Sequence, residues 1–202
     1  MLRPDGAFRH LRRALLSACS LALVSAVACG DDNGLTSPAS NENATRVYSV
    51  YALSGTAAAL PAAYQFSTER LARPQLLSSG GLNFDVAFDI AADGRVLLLP
   101  AASVVPVPPA GAPVIGLQRV SATFLTLVRA PDRDYQFDST MTVGVGETVA
   151  VEVRSSPCVY GEPYYAKVTI DSILVAERRI VVRSLTNRNC GYRSLTEGLP
   201  AN

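Results

Sequence analysis

Residues 82–90 read LNFDVAFDI. Leu82, Phe84, Val86, Phe88 and Ile90 alternate with Asn83, Asp85, Ala87 and Asp89, a period of two residues that predicts a β-strand with one apolar face. Ala91-Ala92-Asp93-Gly94 follows, and glycine tolerates the positive φ of a tight turn, so Arg95 to Leu99 is expected to return as the partner strand. A hairpin with one apolar face must bury that face against another layer.

The same rhythm recurs along the chain. Short runs rich in Val, Tyr, Phe and Thr, separated by Gly, Pro and Asp, predict strands at 47–53, 63–68, 135–143, 148–154, 164–174 and 178–185. Gly144-Val145-Gly146-Glu147 supplies the turn between 135–143 and 148–154. Two segments break the pattern. Residues 100–113 carry Pro100, Pro106, Pro108, Pro109 and Pro113, which excludes a central strand and predicts an extended crossing between sheets. Val120, Phe124, Leu127 and Val128 fall at helical spacing, with Ser121 as a cap and Pro131 as a stop, and predict one short helix near 121–130. The expected fold is therefore all-β: an antiparallel β-sandwich of immunoglobulin-like or transthyretin-like type, with a small β-barrel as the alternative.

The amino-terminal end has a different character. Arg3, Arg9, Arg12 and Arg13 precede an apolar run of 15 residues, Ala14 to Ala28. A membrane-spanning helix needs about 20 residues, whereas an export signal has an apolar region of roughly 7 to 15 ending in small residues. Ala26-Val27-Ala28-Cys29, followed by Gly30, Asp31 and Asp32, resembles the lipobox of bacterial lipoprotein precursors, departing from its commonest form at Ala26, where Leu is usual. That resemblance implies cleavage before Cys29, palmitate-type acylation, a diacylglycerol on its sulfur and attachment to a membrane. Gly30, rather than Asp, after the cysteine leans toward the outer membrane. Ordinary cleavage after Ala28 is the competing reading. The organisation expected is a signal peptide over 1–28, a lipidated flexible tether over 29–45 and a single β-domain over 46–202. The 16 residues from Gly30 to Thr45, with Leu35 as the one large apolar side chain, would give a reach of roughly 20 to 24 Å as a flexible coil. Asn43-Ala44-Thr45 matches a glycosylation sequon and is read as chance in a bacterial-type precursor.

Under the lipobox reading Cys19 leaves with the signal and Cys29 becomes a thioether, so Cys158 and Cys190 remain as a pair. Outside the cytoplasm such a pair is expected to be oxidised, closing a loop of 33 residues worth roughly 3 to 4 kcal/mol in chain entropy. With Cys29 unmodified, three cysteines remain and the pairing is open. Removal of residues 1–28 leaves 14 basic and 16 acidic side chains, a balance of −2 that offers no basic surplus for nucleic acid.

His10 is the sole histidine and lies in the signal, so the mature chain lacks the partner that Ser-His-Asp and Cys-His catalysis and His-ligated zinc require. Lys167, the only lysine, is expected on the solvent side of its strand. Asp85 and Asp89, four strand residues and about 13 Å apart, are too distant for a glycosidase pair and are read as outward-facing charges. Asp132, Asp134 and Asp138 are candidate calcium ligands around one loop, although their spacing is not that of a DxDxDG loop. Tyr160, Tyr164 and Tyr165 are candidate ligand-binding aromatics for a carbohydrate platform. No catalytic residue and no cofactor is assigned. The function expected is that of a non-catalytic binding or structural β-domain anchored at the cell envelope, its partner an unknown protein or carbohydrate. A secreted carbohydrate-binding module, or less readily a carboxylate-based hydrolase, is the alternative.

Overall fold

The computed structural model describes residues 38–200 except 79, 106, 156, 159 and 160, and over this span the chain is an antiparallel β-sandwich. One sheet has six strands in the order β1 (Thr45–Tyr51), β11 (Arg179–Asn187), β10 (Tyr164–Leu174), β9 (Thr148–Arg154), β6 (Val114–Val120) and β7 (Gln136–Phe137). The other has five: β3 (Arg70–Ala72), β2 (Ala63–Gln65), β4 (Val86–Ile90), β5 (Val96–Pro100) and β8 (Met141–Val143). The sheets do not close on each other, so the barrel alternative does not hold. Among the described residues no helix is long and apolar enough to cross a membrane.

Alternation puts the core between the layers. Tyr64, Val86, Phe88, Val96 and Leu98 from the small sheet meet Ile115, Leu117, Val149, Val151, Val153, Tyr164, Val168 and Val182 from the large one. Tyr48 of β1 stacks flat on Tyr64 of β2, with ring centres 4.4 Å apart, and links the two sheets. The β4–β5 hairpin forms as its sequence predicts: Gly94 sits at φ +81° and Asp93 Oδ1 accepts the Arg95 N–H at 3.0 Å.

Several elements differ from the sequence expectation. Strand β4 begins only at Val86; Phe84 turns to the outside of the small sheet, where it packs with Ala63, Ala87 and Ala101. Strand β6 was not expected, because Gly116 and the preceding prolines blur its alternation, yet it pairs with β9 over seven residues. The single run expected at 135–143 is two strands, β7 in the large sheet and β8 in the small one. The Gly144–Glu147 turn therefore passes from sheet to sheet instead of closing a hairpin.

The helix expected near 121–130 is absent. That segment makes one turn, in which the Thr123 carbonyl accepts the N–H groups of Thr126 and Leu127. Strand β6 holds the chain extended to Val120, and Pro131 limits the far end, leaving too few residues to propagate a helix. The short helix is instead α1 (Ala101–Val104), inside the proline-rich crossing from β5 to β6.

A second apolar layer covers the outside of the large sheet. Phe124, Leu127 and Ala130 from the 121–130 loop and Leu195 from the carboxyl-terminal segment cover Ala150, Tyr165 and Leu185. The last residues of the expected tether are part of this construction. Asn189 Oδ1 accepts the N–H groups of Ser40 and Asn41, Asn189 Nδ2 donates to the Asn41 carbonyl, and Asn43 exchanges backbone hydrogen bonds with Gly198. Residues 39–43 thus belong to the folded domain and do not form free tether. The buried Asn43 amide donates to the carbonyls of Ser194 and Thr196, so the sequon is occupied structurally.

Candidate functional site

An open cleft lies where the two sheets part, between β6 and β7 on one side and β8 on the other. Gln118 and Arg119 come from β6, Gln136 from β7, Thr140 from the connection before β8, Met141 and Thr142 from β8, and Asp134 from the loop entering β7. The cavity measures about 480 Å³, within the usual range for small-molecule pockets of about 300–1,000 Å³.

One side of the cleft is fixed by an ionic latch between the layers. Glu147, at the end of the sheet-to-sheet turn, accepts the Gly144 N–H at 2.7 Å, an Arg95 N–H at 3.1 Å and an Arg119 N–H. Arg119 also donates to the Thr142 carbonyl. The Gly144 N–H first, and then the two guanidinium groups, hold the Glu147 carboxyl below its ordinary value. The Arg119 guanidinium is thereby held by Glu147, a carboxylate it shares with Arg95.

Beside the cleft, Gly116 permits close packing. A Cβ on Gly116 would lie 2.8 Å from the Phe137 ring and 2.9 Å from Tyr135 Cβ. Phe137 in turn carries the Arg154 guanidinium 4.4 Å from its ring centre, and Arg154 pairs with the buried Glu152 at 2.7 Å. Asp134 and Asp138 bracket β7, both in left-handed backbone, at φ +68° and +49°. A non-glycine residue there is strained by roughly 1 kcal/mol or more. For Asp138 the compensation is visible: its Oδ1 accepts the Ile115 N–H at 3.1 Å and its own N–H donates to the Ile115 carbonyl.

The residues expected from sequence fall elsewhere or apart. Cys158 and Cys190 form the disulfide, with Cα atoms 5.6 Å apart. Cys29 and Tyr160 lie outside the described residues. Tyr164 and Tyr165 project to opposite faces of β10 and both are buried, Tyr164 in the central core and Tyr165 under the outer layer against Tyr135. They cannot form a platform, because neighbouring strand residues alternate and both sides of β10 are covered. Asp132 is exposed beside Arg133, Asp134 lines the cleft and Asp138 is used on β6. Among the described residues no three His, Cys, Asp or Glu side chains gather to hold a metal ion, so the calcium expectation finds no cluster there.

Lys167 and Asp85, both expected at the surface, are buried. Lys167 Nζ donates to the carbonyls of Phe124 and Leu127 at 2.7 and 3.0 Å beneath the outer layer, and burial lowers its pKa. Asp85 accepts the Phe66 N–H at 2.6 Å and ties the β2–β3 turn to the start of β4. Burial, only partly offset by the N–H groups of Phe66 and Ser67, pushes its carboxyl up to about 6. Asp89 is paired with Arg178 at 3.2 Å on a strand flanked on both sides, so neither aspartate guards an edge.

Sequence reasoning missed Gln118, Gln136, Thr140 and Thr142 altogether. Amides and threonines are unremarkable in strands, and only the topology brings three separate stretches to one opening.

No protein-family model, no curated protein and no solved structure matches this chain.

Proposed function

We propose that this chain is a lipid-anchored protein of the cell envelope, attached through Cys29, whose β-sandwich serves as a binding or structural module and performs no catalysis. The observation that carries the anchoring is the succession of an arginine-rich start, a 15-residue apolar run and Ala26-Val27-Ala28-Cys29. The stitching of residues 39–43 to the carboxyl-terminal segment supports a close attachment. Only eight residues, 30–37, separate Cys29 from Pro38, and eight residues span at most about 29 Å. Two or more acyl chains hold such a domain on a bilayer, because each buried methylene adds about 0.8 kcal/mol. Gly30 directs the outer membrane as the destination in this reading.

The module half of the proposal draws on what Lys167 and Asp85 do. These two buried ionisable groups are committed to holding backbone in place, and the polar cleft stands apart from both. The test is incorporation of labelled palmitate in a bacterial host, with membrane fractionation. Wild type is expected to be labelled and to sediment with membranes, and Cys29→Ala to be neither. Equal labelling of the two proteins sinks the anchor.

A further inference from the structure

We propose that the cleft between β6, β7 and β8 binds a neutral polyhydroxylated ligand, a short saccharide, through the side chains of Gln118, Gln136, Thr140 and Thr142. This names a ligand class for the domain read above as a binding module, and it is independent of the lipid anchor.

The lining chooses the chemistry. Two carboxamides and two hydroxyls each offer both donor and acceptor capacity, the complement of adjacent sugar hydroxyls, which also do both. Lipophilic ligands find little here, since Met141 is the one apolar side chain in the lining and is itself nearly buried. Anions are disfavoured as well. The Arg119 guanidinium is taken up by Glu147 and the Thr142 carbonyl, while Asp134 leaves a carboxylate at the mouth.

Two further observations concern single residues of the lining. Gln118 Oε1 is buried without a hydrogen-bond partner among the described residues, a state that costs about 1–3 kcal/mol. A ligand hydroxyl would relieve it once the carboxamide turns toward the cleft that Gln118 lines. Asp134 is held in left-handed backbone and, among the described residues, has no hydrogen bond of the kind that compensates Asp138. Strain of this sort concentrates where a side chain must be presented in one direction.

The experiment is a two-dimensional amide NMR titration of the full chain carrying Cys29→Ser, with maltotriose, cellotriose and triacetylchitotriose as neutral probes and trigalacturonic acid as the anionic one. At least one neutral trisaccharide is expected to shift the amides of Gln118, Gln136 and Thr142, with affinity at least tenfold above that of the anionic probe. The double variant Gln118→Ala with Gln136→Ala is expected to lower that affinity at least tenfold while its melting temperature and circular dichroism stay near wild type. Should the double variant unfold, Gln136→Ala alone, at an exposed position, carries the same expectation at threefold or more. The proposal is overturned if no neutral trisaccharide shifts these amides up to millimolar concentrations, or if shifts map elsewhere. It is equally overturned if trigalacturonic acid binds as well as the neutral probes. A peptide or other ligand shifting the same amides would sink the saccharide and leave the binding module standing.

Discussion

The ring and the carbonyl of Phe124 hold the same cation: Lys167 Nζ sits 4.4 Å from the ring centre and donates to the Phe124 carbonyl oxygen at 2.7 Å. A loop that failed to become a helix is thus closed over the sheet by the one lysine of the chain, which satisfies the Phe124 carbonyl and also the Leu127 carbonyl, whose helical partner position is Pro131 with no N–H to give.

Lys167→Ala should therefore destabilise the fold by roughly 2 to 3 kcal/mol, since it strands two buried carbonyls and removes the packed stem. Lys167→Met keeps the stem and should lose about half as much. Urea denaturation followed by circular dichroism measures both. A loss under about 0.5 kcal/mol for the alanine variant would show that the 121–130 loop is held by its apolar contacts alone.

Asp85 gives the fold a pH dependence with a definite sign. Its folded pKa of about 6 lies above the ordinary 3.8, so between these values the folded state binds the proton more tightly than the unfolded state. The stabilisation is complete below pH 3.8, declines as pH rises and is gone above about 6. The span corresponds to roughly 3 kcal/mol. Unfolding free energies measured from pH 4 to 7 should show this decline in wild type relative to Asp85→Asn, and parallel curves for the two proteins would refute it.

Replacing Cys158 and Cys190 together by serine should cost roughly 3 to 4 kcal/mol through the freed 33-residue loop. Hydrogen exchange should also quicken at Ser40 and Asn41, whose N–H groups rest on Asn189, the neighbour of Cys190. Unchanged exchange there would separate the cross-link from the amino-terminal stitch.

Gly116→Ala puts a methyl group against Phe137 and Tyr135 at under 3 Å. Overpacking of this kind typically costs about 1–3 kcal/mol. Thermal unfolding should reveal it, and an unaltered melting temperature would mean that β7 moves aside freely.

Legibility in the sequence followed locality. The Asp93-Gly94 hairpin and the outlines of β9 and β10 depend on residues a few positions apart, and alternation exposes them. Strand β6 was hidden because Gly116 stands where a side chain would have marked the pattern, and it does so to admit Phe137 from a strand some twenty residues away. Tyr135 to Val143 reads as one run because nothing local says that the chain changes sheets at residues 138–140. Lys167 and Asp85 look like solvent-side residues until the loops that cover them are placed. The carbonyls facing Lys167 come from 40 and 43 residues away, beyond the range of any periodicity. The cleft was illegible for the same reason, with only Asp134 standing out in advance.

The stitch between Asn41 and Asn189 has a mechanical meaning. A pull on the amino-terminal end enters the domain at Ser40 and Asn41, passes to Asn189 and arrives one residue later at Cys190. There the load divides, part running along β11 and part crossing the sulfur bridge to the loop between β9 and β10. Traction on the chain is thus shared between β1, which the backbone enters directly at Thr45, and the part of the large sheet that the stitch and the sulfur bridge reach.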